Sequence, residues 1–331
     1  GGYEEDVHTT IYNNGEGTLS YSFPLFAAMD LLNDPNVEKN QTGTPYELRS
    51  GDEAKGENLY ADQGYPIVLG AGGPDGFGYV WIDSDEAGGP AYNWMDISGT
   101  GTLLTNPTDD GIVGPFPMGF GFPFYGVNKT QFWVSGNGAI NFTGQAITLS
   151  NTGIPTNSTT YNDFIAWFWD DMGPHYAGVQ IYRQSFADYT IVQFNNYQRY
   201  GYTGVTMDAQ VIMYRNGKLK IQYKDVDAGF QLTGATIGIQ SSTPSIGLQV
   251  SLNTTYVHNN LAVQFGLPAQ FIVDVQPAFG TVPEDGSQPI AITYSSVGRN
   301  GTIYDPGSYN EDLELESNDP DTPTWIIRNE M

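Results

Sequence analysis

The chain has 331 residues, of which 37 are acidic and 12 are lysine or arginine, giving a formal net charge of −25. Only 15% of residues are charged, so the negative charge reflects scarce bases rather than abundant acids. Too few basic side chains are present to neutralise nucleic-acid phosphates or to bind an anionic membrane surface. Because cysteine is absent, a disulfide scaffold is excluded. No apolar run approaches the roughly 20 residues that span a bilayer, so we expect no membrane insertion.

The composition favours an all-β fold. Glycine occurs 41 times, proline 20 times, tyrosine 22 times and phenylalanine 17 times. Turns built from glycine and proline, alternating with aromatic and β-branched runs, are typical of proteins made of short strands. The length allows two domains of ordinary size.

The N-terminal part divides into a strand-forming block and a polar block. Residues 1–23 contain two short alternating patterns, HTTIYNN and TLSYSF, separated by a GEG turn. Residues 24–64 include one short helical pattern, but most of this block is polar and rich in turn signals. We predict an extended arm or loop there, and a loop of such length is usually functional or a linker.

Residues 65–266 form a dense series of predicted strands. Asn216 and Gly217 predict a two-residue hairpin turn between two alternating arms. Because the strands follow one another closely with turn signals between them, they predict a β-sandwich or jelly roll rather than βαβ units. The clearest strands cover residues 79–83, 132–142, 163–169, 178–184, 189–197, 207–214, 218–226, 235–241, 248–253 and 261–265.

Residues 267–331 contain four further strand patterns, which are too few for an independent sandwich. This block resembles the hydin-like immunoglobulin repeats of bacterial surface proteins. The matching motifs are VQPAFGTVP (275–283), DPGSY (305–309) and ESNDPDTP (316–323). The segment TIYNNGEGTL (10–19) is similar to an earlier part of the same repeat type. The resemblance implies one immunoglobulin-like domain, made of residues 1–23 and 267–331, that is interrupted by an inserted sandwich.

The inserted block resembles a different group, the extracellular β-sandwich domains of exported bacterial adhesins and secreted peptidases. Many of these are associated with type IX secretion, and the block also has a looser likeness to nidogen-like domains. The resemblance implies an extracellular or cell-surface location. The matching motifs are FGYVWIDSDE (77–86), YNWMDI (92–97), GFGFPFYG (119–126), VSGNGAINF (134–142) and IAWFWDD (165–171).

The histidines do not predict a catalytic site. His8, His175 and His258 lack the spacing of metal ligands, and no Gly-x-Ser-x-Gly elbow accompanies them. His175 alone follows a pair of carboxylates, Asp170 and Asp171. A carboxylate pair can perform acid–base chemistry, but we favour two residues that cap the turn after a strand. We therefore expect a protein that is not an enzyme.

Two acidic turns are candidate metal sites. Asp83, Asp85 and Glu86 follow a predicted strand, and Asp109 and Asp110 form a second turn. Clustered carboxylate oxygens are the ligands that Ca²⁺ prefers, although neither turn has the order of an EF-hand loop. The alternative is a pair of solvated acidic turns without metal. We expect Ca²⁺ first at the Asp83 turn.

Aromatic residues in a predicted loop are candidates for ligand binding. Tyr197, Tyr200 and Tyr202 lie in the segment NNYQRYGYTG, where they could stack on a carbohydrate or on a partner protein. The tryptophans lie mostly inside strand patterns, which favours packing in a core.

These observations favour a non-catalytic adhesive or structural protein at the cell surface. The alternatives are an accessory region of a secreted hydrolase and a carbohydrate-binding module. Hydin-like repeats have a first strand that residues 1–6 look too short and polar to supply, so an open strand edge is expected. Another copy could fill that edge by strand addition and build a filament. The opposing interpretations are a strand supplied by sequence upstream and an edge protected by its own acidic residues.

Overall fold

The computed structural model describes residues 3–37, residue 55, residues 70–298 and residues 310–330. In these ranges the chain forms twenty-one strands and one helix, which confirms the all-β prediction. No helix of the described ranges combines the length and apolarity that a membrane crossing requires. The first elements are β1 (Glu4–Tyr12), β2 (Leu19–Ser22) and α1 (Pro24–Asn33).

The middle of the chain supplies fourteen strands. They are β3 (Ala71–Gly72), β4 (Val80–Asp83), β5 (Thr102–Leu103), β6 (Ile112–Phe124), β7 (Val127–Ser135), β8 (Ala139–Asn141), β9 (Phe164–Trp169), β10 (Gln180–Ser185), β11 (Tyr189–Gln198), β12 (Thr206–Tyr214), β13 (Leu219–Val226), β14 (Thr236–Gln240), β15 (Gly247–Leu252) and β16 (Leu261–Gly266). The last five are β17 (Ile272–Gln276), β18 (Phe279–Val282), β19 (Ser287–Ser295), β20 (Asn310–Ser317) and β21 (Thr324–Glu330).

Strands β3 to β16 form two antiparallel sheets that pack face to face, here called the large sandwich. One sheet has eight strands in the order β3-β4-β16-β13-β12-β11-β10-β5. The other has six strands in the order β15-β14-β9-β8-β7-β6. Alternating side chains of both sheets fill the space between them, and Trp167 of β9 stacks on Phe194 of β11 at 4.2 Å between ring centroids. Burial of each such large apolar side chain stabilises the fold by roughly 2–3 kcal/mol.

The β12–β13 hairpin follows the alternation of its sequence. Val211 and Ile221 are cross-strand partners and both face the core. Gly217 has a φ of +90°, as the turn requires, and its amide donates to the carbonyl of Tyr214. Sequence reasoning therefore identified the turn and both arms of this hairpin.

Strand β6 was not predicted, because its sequence IVGPFPMGFGFPF is full of proline and glycine. It lies at the edge of the six-stranded sheet, where proline removes no ladder hydrogen bond that a neighbour needs. Register shifts between Val113 and Phe116, and between Pro117 and Phe122, accommodate the irregular residues. The predicted strand 132–142 is in fact the end of β7 followed by β8, separated by a turn at residues 136–138.

The two ends of the described chain pair with each other in a smaller structure, here called the terminal sandwich. Strand β1 pairs with β19, which also pairs with β17. Strand β2 lies between β18 and β20, and β21 forms the outer edge next to β20. Side chains of both sheets, such as Ile292 and Leu315, share one buried core.

The short helical pattern at the start of residues 24–64 forms helix α1, with Pro24 in its first turn and Asp34 before Pro35 at its end. Its apolar side chains, including Phe26 and Leu32, join the core beside Val80 of β4. Of the block predicted as an arm, residues 38–54 and 56–64 lie outside the described part of the chain.

The polar start of the chain is part of a sheet, since Glu4, Glu5 and Asp6 belong to β1 and pair with β19. β1 has no strand on its other side in the described ranges, so the open edge expected from the sequence stays a prediction. Sequence reasoning also overlooked β18, and the terminal sandwich has seven strands in the described ranges. Because β1 is an edge strand that begins with three exposed carboxylates, its edge carries the charge that discourages pairing with another chain.

A buried group of charges joins the two sandwiches. Lys218, just before β13, and Lys220 of β13 contact Glu316 of β20 at 3.5 Å and 3.2 Å, and Lys218 also pairs with Glu314. The Glu316 carboxylate additionally accepts the backbone N–H of Ala91 at 3.1 Å. Burial raises the pKa of Glu316, but the two lysines outweigh that effect and hold it below its ordinary value. These two lysines therefore stabilise the contact between the two sandwiches.

Candidate functional site

The first acidic turn does not bring its carboxylates together. Asp83 accepts a hydrogen bond from the hydroxyl of Tyr256 at 2.7 Å, and Asp85 contacts His258 Nε2 at 2.8 Å. Glu86 accepts the backbone N–H of Gly70 at 2.7 Å. Each carboxylate thus has a different structural partner, and this turn does not form the ligand set that the sequence suggested.

The electrostatics of this turn follow from burial. Asp83 is buried, and desolvation raises its pKa to about 6 despite the hydrogen bonds from Tyr256 and from the Asp85 amide. Burial lowers the pKa of His258, but its contacts with the Asn259 backbone and with Asp85 outweigh that effect and raise it. The turn therefore contains two groups with raised pKa values, Asp83 and His258, and its contacts tie β4 to the segment before β16.

The second acidic turn gains a third carboxylate from a distant part of the chain. Asp109, Asp110 and Asp171, here called the carboxylate trio, each place an oxygen within 4.8 Å of the others. The ammonium of Lys55 lies among them, 2.9 Å from Asp109 Oδ1, 2.8 Å from Asp110 Oδ2 and 3.2 Å from Asp171 Oδ1. At the trio, one ammonium therefore contacts three carboxylates.

The end of β9 delivers Asp171 to the trio. Its neighbour Asp170 is fully buried and pairs with the guanidinium of Arg199, with Nε at 2.5 Å from Oδ2 and Nη2 at 3.1 Å from Oδ1. The amide of Asp171 donates to Asp170 Oδ1 at 2.8 Å. Because Asp170 is fixed, the side chain of Asp171, which is only 1% exposed, has a defined position.

The turn at residues 136–138 links the second acidic turn to β9. Asn137 donates from Nδ2 to Asp110 Oδ1 at 3.0 Å and accepts the backbone N–H of Met172 at 3.2 Å. Gly138 has a φ of +72°, and a Cβ there would meet the carbonyl oxygen of Phe168 at 1.7 Å. This close approach explains the glycine and places Asn137 between the two carboxylate-bearing segments.

The charges within the trio reinforce one another. Burial lowers the pKa of Lys55, but hydrogen bonds to Asp110 and Asp109 and the charge of Asp171 outweigh it and raise the pKa above its ordinary value. For Asp110, burial raises the pKa, while Lys55 and Asn137 lower it by a larger amount. Lys55 and Asp110 thus each favour the charged form of the other.

Aromatic rings border the trio on one side. The ring of Tyr200 lies 4.3 Å from the Lys55 ammonium, a cation–π contact. Tyr176 stacks beside Tyr200 at 6.1 Å, and His175 packs on Tyr176 at 4.5 Å. His175 Nδ1 is also 4.0 Å from Asp109 Oδ1. We call His175, Tyr176 and Tyr200 the aromatic rim.

The predicted group of tyrosines is therefore only partly correct in its placement. Tyr200 belongs to the rim, and Tyr202 lies 5.5 Å from the Arg199 guanidinium. Tyr197 is fully buried in β11 and donates its hydroxyl to the Gly136 carbonyl at 2.9 Å, so its assignment as a ligand-binding residue is wrong. The cause is a bulge between Phe194 and Tyr197, which turns both rings towards the core.

An open groove of about 850 Å³ leads away from the trio. Residues 103–108 form one wall, and residues 178–180 with Asn196 form the other. His175 of the aromatic rim lies at the end that meets the trio. Most of the exposed side chains here are uncharged and polar, such as Thr105 and Gln180, whereas Leu103 is apolar and 55% exposed.

Sequence reasoning identified two members of the trio and missed the rest. Asp109 and Asp110 were candidates, and Asp171 was noticed only as a turn cap. Lys55 gave no local signal, because a lysine in a polar segment is normally solvated. The available signal was the scarcity of bases, since each of the few lysines must compensate several carboxylates.

Comparison with known proteins identifies one family. The family model described as NIDO related matches residues 86–271, which include Asp109, Asp110 and Asp171 and all strands from β5 to β16. The match thus covers most of the large sandwich and leaves out the terminal strands. No curated protein and no solved structure matches the chain.

Proposed function

This chain belongs to the NIDO-related family, and from that premise we propose that it is a non-catalytic adhesive or structural module of an extracellular surface. The observation that carries the proposal is the open groove beside the carboxylate trio, which meets it at His175, 4.0 Å from Asp109. A surface of this kind is suited to holding a cationic or polar partner rather than to transforming a small molecule.

The histidine contacts support a role without catalysis. Both ring nitrogens of His258 are engaged, one with the Asn259 carbonyl and one with Asp85, so the ring cannot also activate a hydroxyl. His175 packs against Tyr176 and faces Asp109. Arg199 and Asp170 neutralise each other in the core.

Retention under flow tests the adhesive function. Beads that carry the chain should be held on surfaces coated with cationic polymers or surface extracts, and substitution of all three trio aspartates by asparagine should abolish retention. Asp188→Asn, an exposed site paired with Arg215, is the matched control and should leave retention unchanged. Retention that is equal in both variants would contradict the role of the groove, and turnover of peptide or glycan substrates would contradict a non-catalytic module.

Calcium remains part of the proposal at one of the two predicted turns. We propose that Asp109 and Asp110, with Asp171, are the residues that would hold Ca²⁺, because they alone among the candidate carboxylates converge. Lys55 occupies the same space, so the ion would have to displace an ammonium. We do not propose Asp83, Asp85 and Glu86 as calcium ligands, because each has a separate partner.

The carbohydrate-binding module is the second candidate function, and the aromatic rim favours it. Parallel tyrosine rings beside an open polar groove can stack on a sugar ring. A glycan array tests this alternative, and Tyr200→Ala is the informative variant. The accessory role beside a secreted hydrolase, the type IX context and the filament remain predictions.

A further inference from the structure

The carboxylate trio holds an ammonium group from the chain itself. Lys55 places its ammonium within 3.2 Å of one oxygen from each of Asp109, Asp110 and Asp171. The same ammonium also lies over the ring of Tyr200. Three carboxylates and one aromatic face are a complete set of partners for a primary ammonium.

The trio exceeds what one lysine requires. Three carboxylates face a single ammonium, and His175 is the next cationic candidate, at 4.0 Å from Asp109. The other described lysines have partners elsewhere: Lys129 pairs with Asp163, Lys224 with Asp208, and Lys218 and Lys220 with Glu316. Among the described lysines, Lys55 is therefore the one that contacts the trio, and a site of three carboxylates favours a cationic partner.

The groove beside the trio suits an extended polypeptide. Its first wall begins at β5, and β5 is the last strand of the eight-stranded sheet, with β10 on one side and no strand on the other in the described part of the chain. A free strand edge offers backbone N–H and C=O groups to an incoming segment. Only five residues separate Leu103 of β5 from Asp109, so a segment paired at β5 could reach the trio with a side chain.

We propose that the trio is a docking site for a lysine side chain on an extended segment of a partner protein, and that Lys55 occupies this site in cis. The inference rests on the adhesive function proposed above and names the chemistry of its partner. Lys55 then acts as a built-in competitor, because the site must lose its own ammonium before it accepts another. Lys55 weakens the binding of a partner lysine because it occupies the site. Removal of Lys55 should therefore strengthen that binding by the same factor.

Peptide binding tests the proposal. The probe is a fluorescent hexalysine peptide, and its control is the same peptide acetylated on every Nε, which keeps the backbone and removes the ammonium groups. At physiological salt, Lys55→Ala should bind hexalysine about tenfold more tightly than the unsubstituted chain. Adding Asp171→Asn to Lys55→Ala should remove that gain, whereas adding Asp188→Asn should preserve it, and the acetylated peptide should not bind.

Several results would overturn the proposal. Equal affinity of the unsubstituted chain and Lys55→Ala would show that Lys55 does not compete, and a gain that survives Asp171→Asn would place binding elsewhere on the acidic surface. If Asp171→Asn unfolds the chain, Asp109→Asn at the more exposed end of the trio serves instead. Binding of a glucosamine oligomer or of Ca²⁺ alone, with no peptide binding, would assign another occupant. If the beads are retained under flow and substitution of Lys55 has no effect on peptide binding, this inference is contradicted and the adhesive function is still supported.

Discussion

The two acidic turns of the large sandwich have similar sequences, but their carboxylates have different partners. At the first turn, Asp83 and Asp85 are each taken by one partner, Tyr256 and His258. At the second, Asp109 and Asp110 meet a third carboxylate and share one ammonium. The difference arises from β9, which delivers Asp171 to the second turn, whereas within the described ranges no third carboxylate joins the first. A run of carboxylates thus becomes a candidate binding site only when the topology adds a ligand from elsewhere.

The largest expected effect concerns the ion pair that holds Asp171 in place. Arg199→Met removes the buried guanidinium that neutralises Asp170, and breaking such a pair costs about 3–5 kcal/mol of unfolding free energy. Chemical denaturation measures the loss. Arg215→Met is the control, because its partner Asp188 is exposed, and it should cost less than about 1 kcal/mol. Comparable losses for both arginines would mean that the second turn has no specially fixed support.

The next effect is a pH dependence at the first turn. Asp83 has a folded-state pKa of about 6, above its ordinary value, so its protonated form is favoured in the fold. Its contribution to stability is therefore full below about pH 4 and is lost as the pH rises through 6. Relative to Asp83→Asn, the unsubstituted chain should lose roughly 1–3 kcal/mol between pH 4 and pH 7.

Denaturation of both proteins across that pH range gives the difference directly. Asp188→Asn, whose carboxylate is exposed, should track the unsubstituted chain at every pH. A constant difference between the unsubstituted chain and Asp83→Asn would show that Asp83 is solvated in solution.

A smaller loss of stability is expected when the cation at the second turn is removed. Lys55→Met leaves three carboxylates together and should lower stability by about 1 kcal/mol at low salt. Millimolar Ca²⁺ should restore the melting temperature of this variant, because the ion can take the space of the ammonium. Lys224→Met, which removes a looser contact of 3.6 Å with Asp208, should show no such rescue. Rescue of both variants would reduce the Ca²⁺ effect to general screening.

The smallest effect belongs to His258. Its pKa is raised, so its contribution to stability is present below its ordinary pKa and disappears as the pH rises through the raised value. Both His258 and Asp85 are largely exposed, so the contribution is below about 1 kcal/mol. His258→Gln should therefore be slightly less stable than the unsubstituted chain at pH 5 and equal to it at pH 8. A larger loss at pH 8 than at pH 5 would reverse the sign and contradict the contact.

Local patterns predicted much of the fold and little of the site. The alternation around Asn216 and Gly217 gave the β12–β13 hairpin, because turn chemistry and periodicity act over a few residues. Strand β6 escaped because an edge strand tolerates proline, which depends on its place in the sheet rather than on its sequence. Tyr197 was misplaced for a similar reason, since one extra residue in a bulge reverses which face a side chain occupies.

The trio shows the same limit. Asp109 and Asp110 are visible in sequence as an acidic turn, but Asp171 arrives from the end of β9 and Lys55 from an unrelated segment. Asn137, which links the two carboxylate-bearing segments, is indistinguishable in sequence from any turn asparagine. Contacts between residues far apart in the chain depend on sheet order and register, and these are fixed by packing of the whole core.

The coupling energy between Lys55 and Asp171 measures how strongly the trio holds the ammonium. A double-mutant cycle with Lys55→Met and Asp171→Asn should give a coupling of about 1–3 kcal/mol in unfolding free energy at low salt, and it should weaken as sodium chloride is added. The same cycle between Lys55 and the remote Asp188 should give a value near zero. A Lys55–Asp171 coupling no larger than that of the remote pair would contradict the central claim that the carboxylate trio holds an ammonium.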